Sequence, residues 1–156
     1  RVARRDQQSA TPRFRSWRTR AARPCPELGS PGGHKFPWGA RRLGRACAGL
    51  GKRLPVFLQV NTSGEASKAG IAPESLAELL DAASAVPELD ILGLMTMAPE
   101  LGEGGDPDVA RRAFAILRDL ARRHGLARLS MGMSGDFPLA IAEGATDVRI
   151  GSRLFV

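Results

Sequence analysis

The sequence predicts an α/β fold in which the chain from residue 54 onward forms a partial (β/α)8 TIM barrel, about the last four βα units. Three observations carry this. Four short apolar runs alternate with stretches of helical period, in the order β-α-β-α-β-α-β from Pro55 to Phe155, and such alternation implies a parallel sheet joined by right-handed crossovers. No G-x-G-x-x-G follows any of these runs, which weighs against the dinucleotide-binding form of the runner-up, an open doubly wound sheet. The last two runs, Leu129–Asp136 and Val148–Ser152, both end in Ser and Gly. The loops after the last two strands of a barrel are where a phosphate group usually sits.

Taken in order, the elements begin after a long basic segment. Residues 1 to about 40 mix Arg, Pro, Gly and Ser with Phe14, Trp17, Phe36 and Trp38 and show neither helical nor strand period, so the expectation is irregular structure. Arg41–Gly51 reads as a helix weakened by its glycines. At Leu54 the character changes. Pro55–Val60 is a near-continuous apolar run, expected to be a strand buried on both faces. Asn61–Gly70 is a polar loop. Pro73-Glu-Ser opens a helix to about Val86, with Leu76, Leu79 and Leu80 on one face, and Pro87 stops it. Leu89–Met97 is the second strand, with Met95 and Met97 read as core. Glu100–Asp106 is a Gly- and acid-rich loop. Asp108–His124 is a helix with Val109, Ala113, Phe114, Ile116, Leu117 and Leu120 inward and five arginines outward; Gly125 ends it. Leu129–Asp136 is a third strand running into a turn of small residues, Phe137–Gly144 a short helix, and Val148–Ser152 the fourth strand, which ends in a like turn.

The formal net charge of +7 is unevenly spread. Residues 1–53 hold 14 Lys and Arg against Asp6 and Glu27, whereas residues 54–156 hold 9 basic and 14 acidic residues. The basicity belongs to one end. A basic tail with interleaved aromatics can bind nucleic acid, but the aromatics have no regular spacing, which weighs against that partner. Cys25 and Cys47 form neither a disulfide framework nor a metal-ligand spacing, and no metal is expected. No apolar run spans a bilayer and no signal peptide opens the chain, so a cytoplasmic protein with no membrane partner is expected.

The candidate chemistry lies at the two Ser/Gly termini. Taken singly, Ser130, Gly132, Ser134 and Gly135, or Gly151 and Ser152, are ordinary turn residues. Together they gather hydroxyl and backbone N–H donors at the carboxyl ends of adjacent strands, a setting that suits a phosphate. Arg149 stands in an otherwise apolar strand. Burying it without a partner is costly, so it meets a ligand or an internal acid, Asp136 or Asp147. Asn61, at the end of the first strand, touches a ligand or caps its loop. Lys68 sits in a polar, acid-flanked loop with nothing to desolvate it, so it reads as a solvated lysine rather than a Schiff-base one. There is no Ser-His-Asp set.

Several of these pieces carry a family resemblance: Phe57-Leu-Gln-Val-Asn61, Ser63-Gly-Glu-Ala-Ser-Lys-Ala-Gly70, Gly93-Leu-Met-Thr-Met97, Leu129-Ser-Met-Gly-Met-Ser134, Ala142-Glu-Gly-Ala145 and Val148-Arg-Ile-Gly-Ser152. From Val56 onward the sequence closely resembles the pyridoxal phosphate homeostasis protein family, whose barrel is related to the amino-terminal domain of alanine racemase. The resemblance implies pyridoxal 5′-phosphate as cofactor and a non-catalytic role in its intracellular buffering and delivery, with PLP-dependent apoenzymes as recipients. It implies that Ser134, Gly151 and Ser152 hold the phosphate, with Met133 and Asn61 at the site, and that Arg149 faces the pyridine nitrogen. The family's Schiff-base lysine, on its first strand, has no match in residues 1–53. The chain also has no Tyr, and so no racemase-type tyrosine base, which disfavours the alternative of a PLP-dependent racemase or decarboxylase half. These departures lead to the expectation that residues 1–53 are mistranslated, from a shifted or wrongly joined reading frame, and that open sheet edges promote self-association.

Overall fold

The computed structural model describes residues 36–66, 68–100 and 106–151. Its elements are α1 (Phe36–Ala48), β1 (Leu54–Gln59), a 3-10 turn (Pro73–Ser75) leading into α2 (Leu76–Ser84), β2 (Leu89–Met95), α3 (Pro107–Arg123), β3 (Arg128–Met133), α4 (Phe137–Ala142) and β4 (Asp147–Arg149). The four strands form one parallel sheet in the order β1-β2-β3-β4. A doubly wound sheet needs a reversal of strand order; the described strands show none. With right-handed crossovers throughout, this order puts the connecting helices on one face.

Helical period decides that face. Leu58, Val60, Leu94, Leu129 and Met131 from the sheet pack with Leu76 and Leu79 of α2, Phe114, Leu117 and Leu120 of α3, and Ala140 of α4 in one core. Pro107 occupies the first turn of α3, and the Asp106 carboxylate caps it by accepting from the Asp108 N–H at 2.9 Å. Gly125, at φ +66°, follows the helix end. Ile116, expected inward, is 41% exposed, and Ala110 and Ala121 take the buried positions instead. The buried stripe of α3 is thus displaced from the expected one, with two small alanines inside it.

Three further expectations change. Helix α1 begins at Phe36, inside the segment read as irregular, and runs further upstream than Arg41. Ala40 is fully buried against Val86 and Leu89, with Leu43, Leu54 and Val56 around them. Tertiary contact with α2 and the sheet thus offsets the poor propensity of its two glycines. Second, β1 is covered on one face only: Leu58 and Val60 are buried, while Phe57 and Gln59 on the other face are partly exposed. Third, Met95 and Met97 are half-buried rather than core. A continuous apolar run cannot distinguish a strand covered twice from one covered once.

The face away from the helices carries charge near the amino-terminal end of β3 and β4. Phe57, Gly93 and Arg128 are in register across β1, β2 and β3. The Arg128 guanidinium lies 5.2 Å over the Phe57 ring. Arg128 also forks onto the Asp147 carboxylate, and the Thr146 hydroxyl donates to the same carboxylate at 2.7 Å.

Candidate functional site

At the carboxyl end of the sheet, β3 runs into a tight turn. Gly132 has φ +89°, and a Cβ there would lie 2.6 Å from the Cβ of Ala140 and 3.0 Å from the Cα of Phe137. Only glycine brings the strand this close to α4. The turn that follows, Met133-Ser134-Gly135-Asp136, is closed twice. The Asp136 N–H donates to the Met133 carbonyl at 3.2 Å, and the Met133 N–H donates to the Asp136 carboxylate at 2.6 Å. Asp136 is buried. Its carboxylate therefore holds the turn instead of capping α4.

This turn sets Ser134 beside the end of β4. The Gly151 N–H donates to the Ser134 hydroxyl at 3.4 Å. No atom stands within 4 Å of where a Cβ would be at Gly135 or Gly151, so both backbones border open space. Ser134 and Gly151 are thus brought together as expected. Ser152, expected to join them, lies outside the described residues. Met133, at the rim of the same turn, is 38% exposed.

Arg149 lies two residues before Gly151 and is half-buried. Burial lowers its pKa, and the Asp136 charge partly opposes that shift. The two acids suggested as its partners are engaged elsewhere: Asp147 with Arg128 and Thr146, Asp136 with the Met133 N–H. Arg149 is held by uncharged acceptors instead. Nη1 donates to the Ser130 carbonyl at 3.0 Å and the Ser130 hydroxyl at 2.8 Å, and Nη2 donates to the Thr96 carbonyl at 2.9 Å. Three bonds fix the plane of the guanidinium and leave its positive charge unneutralised by a direct ion pair among the described residues.

Asn61 organises the loop after β1. Its Oδ1 accepts from the Ser63 N–H, the Ser63 hydroxyl and the Gly64 N–H, and its Nδ2 donates to the Glu65 carbonyl at 2.8 Å and the Lys68 carbonyl at 3.5 Å. Of the two roles open to it, the geometry supplies the loop cap. Sequence reasoning passed over Thr96 and the Ser130 carbonyl as holders of Arg149. The available signal was Thr96 itself, a lone hydroxyl in the apolar run Leu92–Met97.

The donor set suits an anionic group such as a phosphate: a hydroxyl and an N–H beside open space, with a half-buried cation two residues away. Residues 36–156 match the family "Alanine racemase, N-terminal domain". The chain is 50% identical over 104 residues to the pyridoxal phosphate homeostasis protein of Pseudomonas aeruginosa, covering 65% of this chain and 44% of that protein. It is 46% identical over 103 residues to that of Aquifex aeolicus, covering 64% and 45%. The chain thus spans about half the length of these relatives. Among solved structures, PipY of Synechococcus elongatus with PLP bound is 36% identical with a TM-score of 0.65, covering 76% of this chain and 57% of that one. Alanine racemase of Clostridium difficile, at 18% identity and TM-score 0.56 over 76% of this chain and 32% of that one, shares the fold.

Proposed function

The chain belongs to the alanine racemase N-terminal-domain family, and from that premise we propose that it is a pyridoxal 5′-phosphate-binding part of a cofactor-homeostasis protein acting in the cytoplasm. The four-stranded sheet is then the second half of a (β/α)8 barrel, with its helices outside and the Arg149 face inside. The observation that carries the reading is the convergence of the Gly151 N–H, the Ser134 hydroxyl and the half-buried Arg149 at one end of the sheet.

In this reading Ser134, Gly151 and Ser152 donate to the phosphate, whose charge the uncovered backbones at Gly135 and Gly151 let approach closely. Met133 borders the ring. Arg149 presents N–H groups to the pyridine nitrogen. When bound, the cofactor supplies an electron sink only to the extent that this nitrogen is protonated. A fixed guanidinium, which has no acceptor, keeps it unprotonated. Holding and release, rather than catalysis, follow from that, and PLP-dependent apoenzymes are the recipients. Asn61 shapes the rim through its loop.

The test is a titration of the chain with pyridoxal 5′-phosphate, followed by the ³¹P resonance of the cofactor. Saturable binding that S134A weakens about tenfold, the loss of one charge-assisted hydrogen bond, is the expected result. Borohydride treatment is expected to trap no adduct at Lys68. Unsaturable binding, or equal binding by S134A, would refute the assignment.

A further inference from the structure

The hydrogen bonds at the carboxyl end of the sheet form one connected chain, and its centre is a residue with no place in the phosphate or ring contacts just described. Thr96 is fully buried immediately after β2. Each of its polar groups is engaged. Its N–H donates to the Ser130 carbonyl at 3.2 Å. Its carbonyl accepts from Arg149 Nη2 at 2.9 Å. Its hydroxyl donates to the Val60 carbonyl at 2.8 Å and lies 2.9 Å from the Thr62 hydroxyl. A hydroxyl has a single proton. Since Thr96 spends it on Val60, Thr62 must be the donor in the hydroxyl pair. Thr62 is itself buried and directly follows Asn61, the cap of the β1 loop.

Ser130 closes the circuit. Its carbonyl accepts from both the Thr96 N–H and Arg149 Nη1. The guanidinium is therefore seated on two carbonyls, those of Thr96 and Ser130, that are themselves tied together. The hydroxyls of Thr96 and Thr62 in turn anchor that seat to β1. Arg149 has a long, flexible side chain and, among the described residues, no carboxylate in direct ion-pair contact to aim it. Its orientation must come from where these carbonyls are held.

We propose that Thr96 is the positioning residue for Arg149, and that the Thr62–Thr96 hydroxyl pair sets the guanidinium plane from the β1 side of the sheet. The proposal rests on the assignment of Arg149 to the cofactor ring for its consequence, but not for its geometry. Removing the Thr96 hydroxyl with its shape kept, as in T96V, leaves the Thr62 hydroxyl without its acceptor and frees the Thr96 peptide to shift. Arg149 then samples more than one orientation before any ligand arrives.

Two readouts separate this from a general loss of stability. The first needs no cofactor: the guanidinium ¹⁵N–¹H resonances of Arg149 in the free protein. They are expected to be slowly exchanging and resolved in the wild type, broadened or lost in T96V, and restored in T96S, which keeps the hydroxyl. The second is the dissociation constant for pyridoxal 5′-phosphate, expected to rise about tenfold in T96V and to return in T96S. If T96V does not fold, T62V carries the test, because it removes the donor of the pair from outside the sheet. Arg149 resonances and cofactor affinity both unchanged in the folded variant would overturn the proposal. If the wild type binds no cofactor while the resonances behave as stated, the functional assignment fails and the positioning role stands. If the resonances do not respond, the positioning role fails whatever the affinity does.

Discussion

Gly132 and Arg149 shape the carboxyl end of the sheet in ways a close substitute cannot reproduce. Gly132 combines a left-handed backbone with a 2.6 Å approach to Ala140. In G132A the added methyl must displace α4 or straighten the turn, and a side chain at this φ itself costs about 1–3 kcal/mol. A lower urea midpoint, together with weaker cofactor binding because Ser134 moves with the turn, is the expected outcome. Arg149 tests differently. R149K keeps the charge, but an ammonium cannot match a planar fork seated on two carbonyls and a hydroxyl. Leaving buried acceptors unpaired costs about 1–3 kcal/mol, so chemical denaturation should show R149K less stable than the wild type despite equal charge.

Among the elements, α1 and β2 each depend on a glycine for contact rather than for turning. A Cβ on Gly44 would lie 2.3 Å from Val86 Cγ1, so α1 packs on the end of α2 through a flat spot. G44V is expected to release α1 while the sheet persists, seen as faster amide exchange confined to 36–48. A Cβ on Gly93 would lie 2.0 Å from the Arg128 carbonyl oxygen, a backbone atom that cannot turn aside. In G93A, therefore, the β2–β3 pairing itself gives way and the whole sheet loses protection. Helix α3 supplies the largest fully buried side chain among the described residues, Phe114. F114A is expected to cost about 3–5 kcal/mol, a large part of the 5–15 kcal/mol typical of a domain, so its thermal transition should broaden or vanish. The arginines of α3 matter less: Arg111 pairs with Asp108 on an exposed face, where ion pairs contribute little. Glu143 is different in kind, since Arg118 and, at 3.9 Å, Arg111 both reach it and so join α3 to the end of α4.

For the molecule as a whole, the decisive feature is a sheet with helices on one side and open edges at β1 and β4 among the described strands. The β1 edge is partly masked: Gln59 bonds through its side chain to the Ala69 carbonyl, and Ile71 bridges to Val60 and donates to the Gln59 carbonyl. β4 has no such cover within the described residues. Unpaired edges recruit other strands, so sedimentation velocity is expected to show concentration-dependent association. A sharp, reversible monomer melt independent of concentration would contradict it. No helix among the described residues is long and apolar enough to cross a membrane.

The alternation of apolar runs with helical stripes was enough to place every strand and helix from residue 54 to 149 within a few positions, because burial imposes its period directly on the chain. Ser134 and Gly151 were also readable, since small polar residues ending two successive strands are brought together by any parallel sheet. Helix α1 was not readable in full. Its residues propagate a helix poorly, and only the docking of Ala40 against Val86 and Leu89 makes it worthwhile. The partners of Arg149 were equally hidden. Sequence offered Asp136 and Asp147 as counter-charges, but the fold spent both acids elsewhere and seated the guanidinium on the carbonyls of Thr96 and Ser130. Every residue owns a carbonyl, so no pattern of side chains reveals which ones converge. Strand register decides that, and register exists only once the sheet has formed.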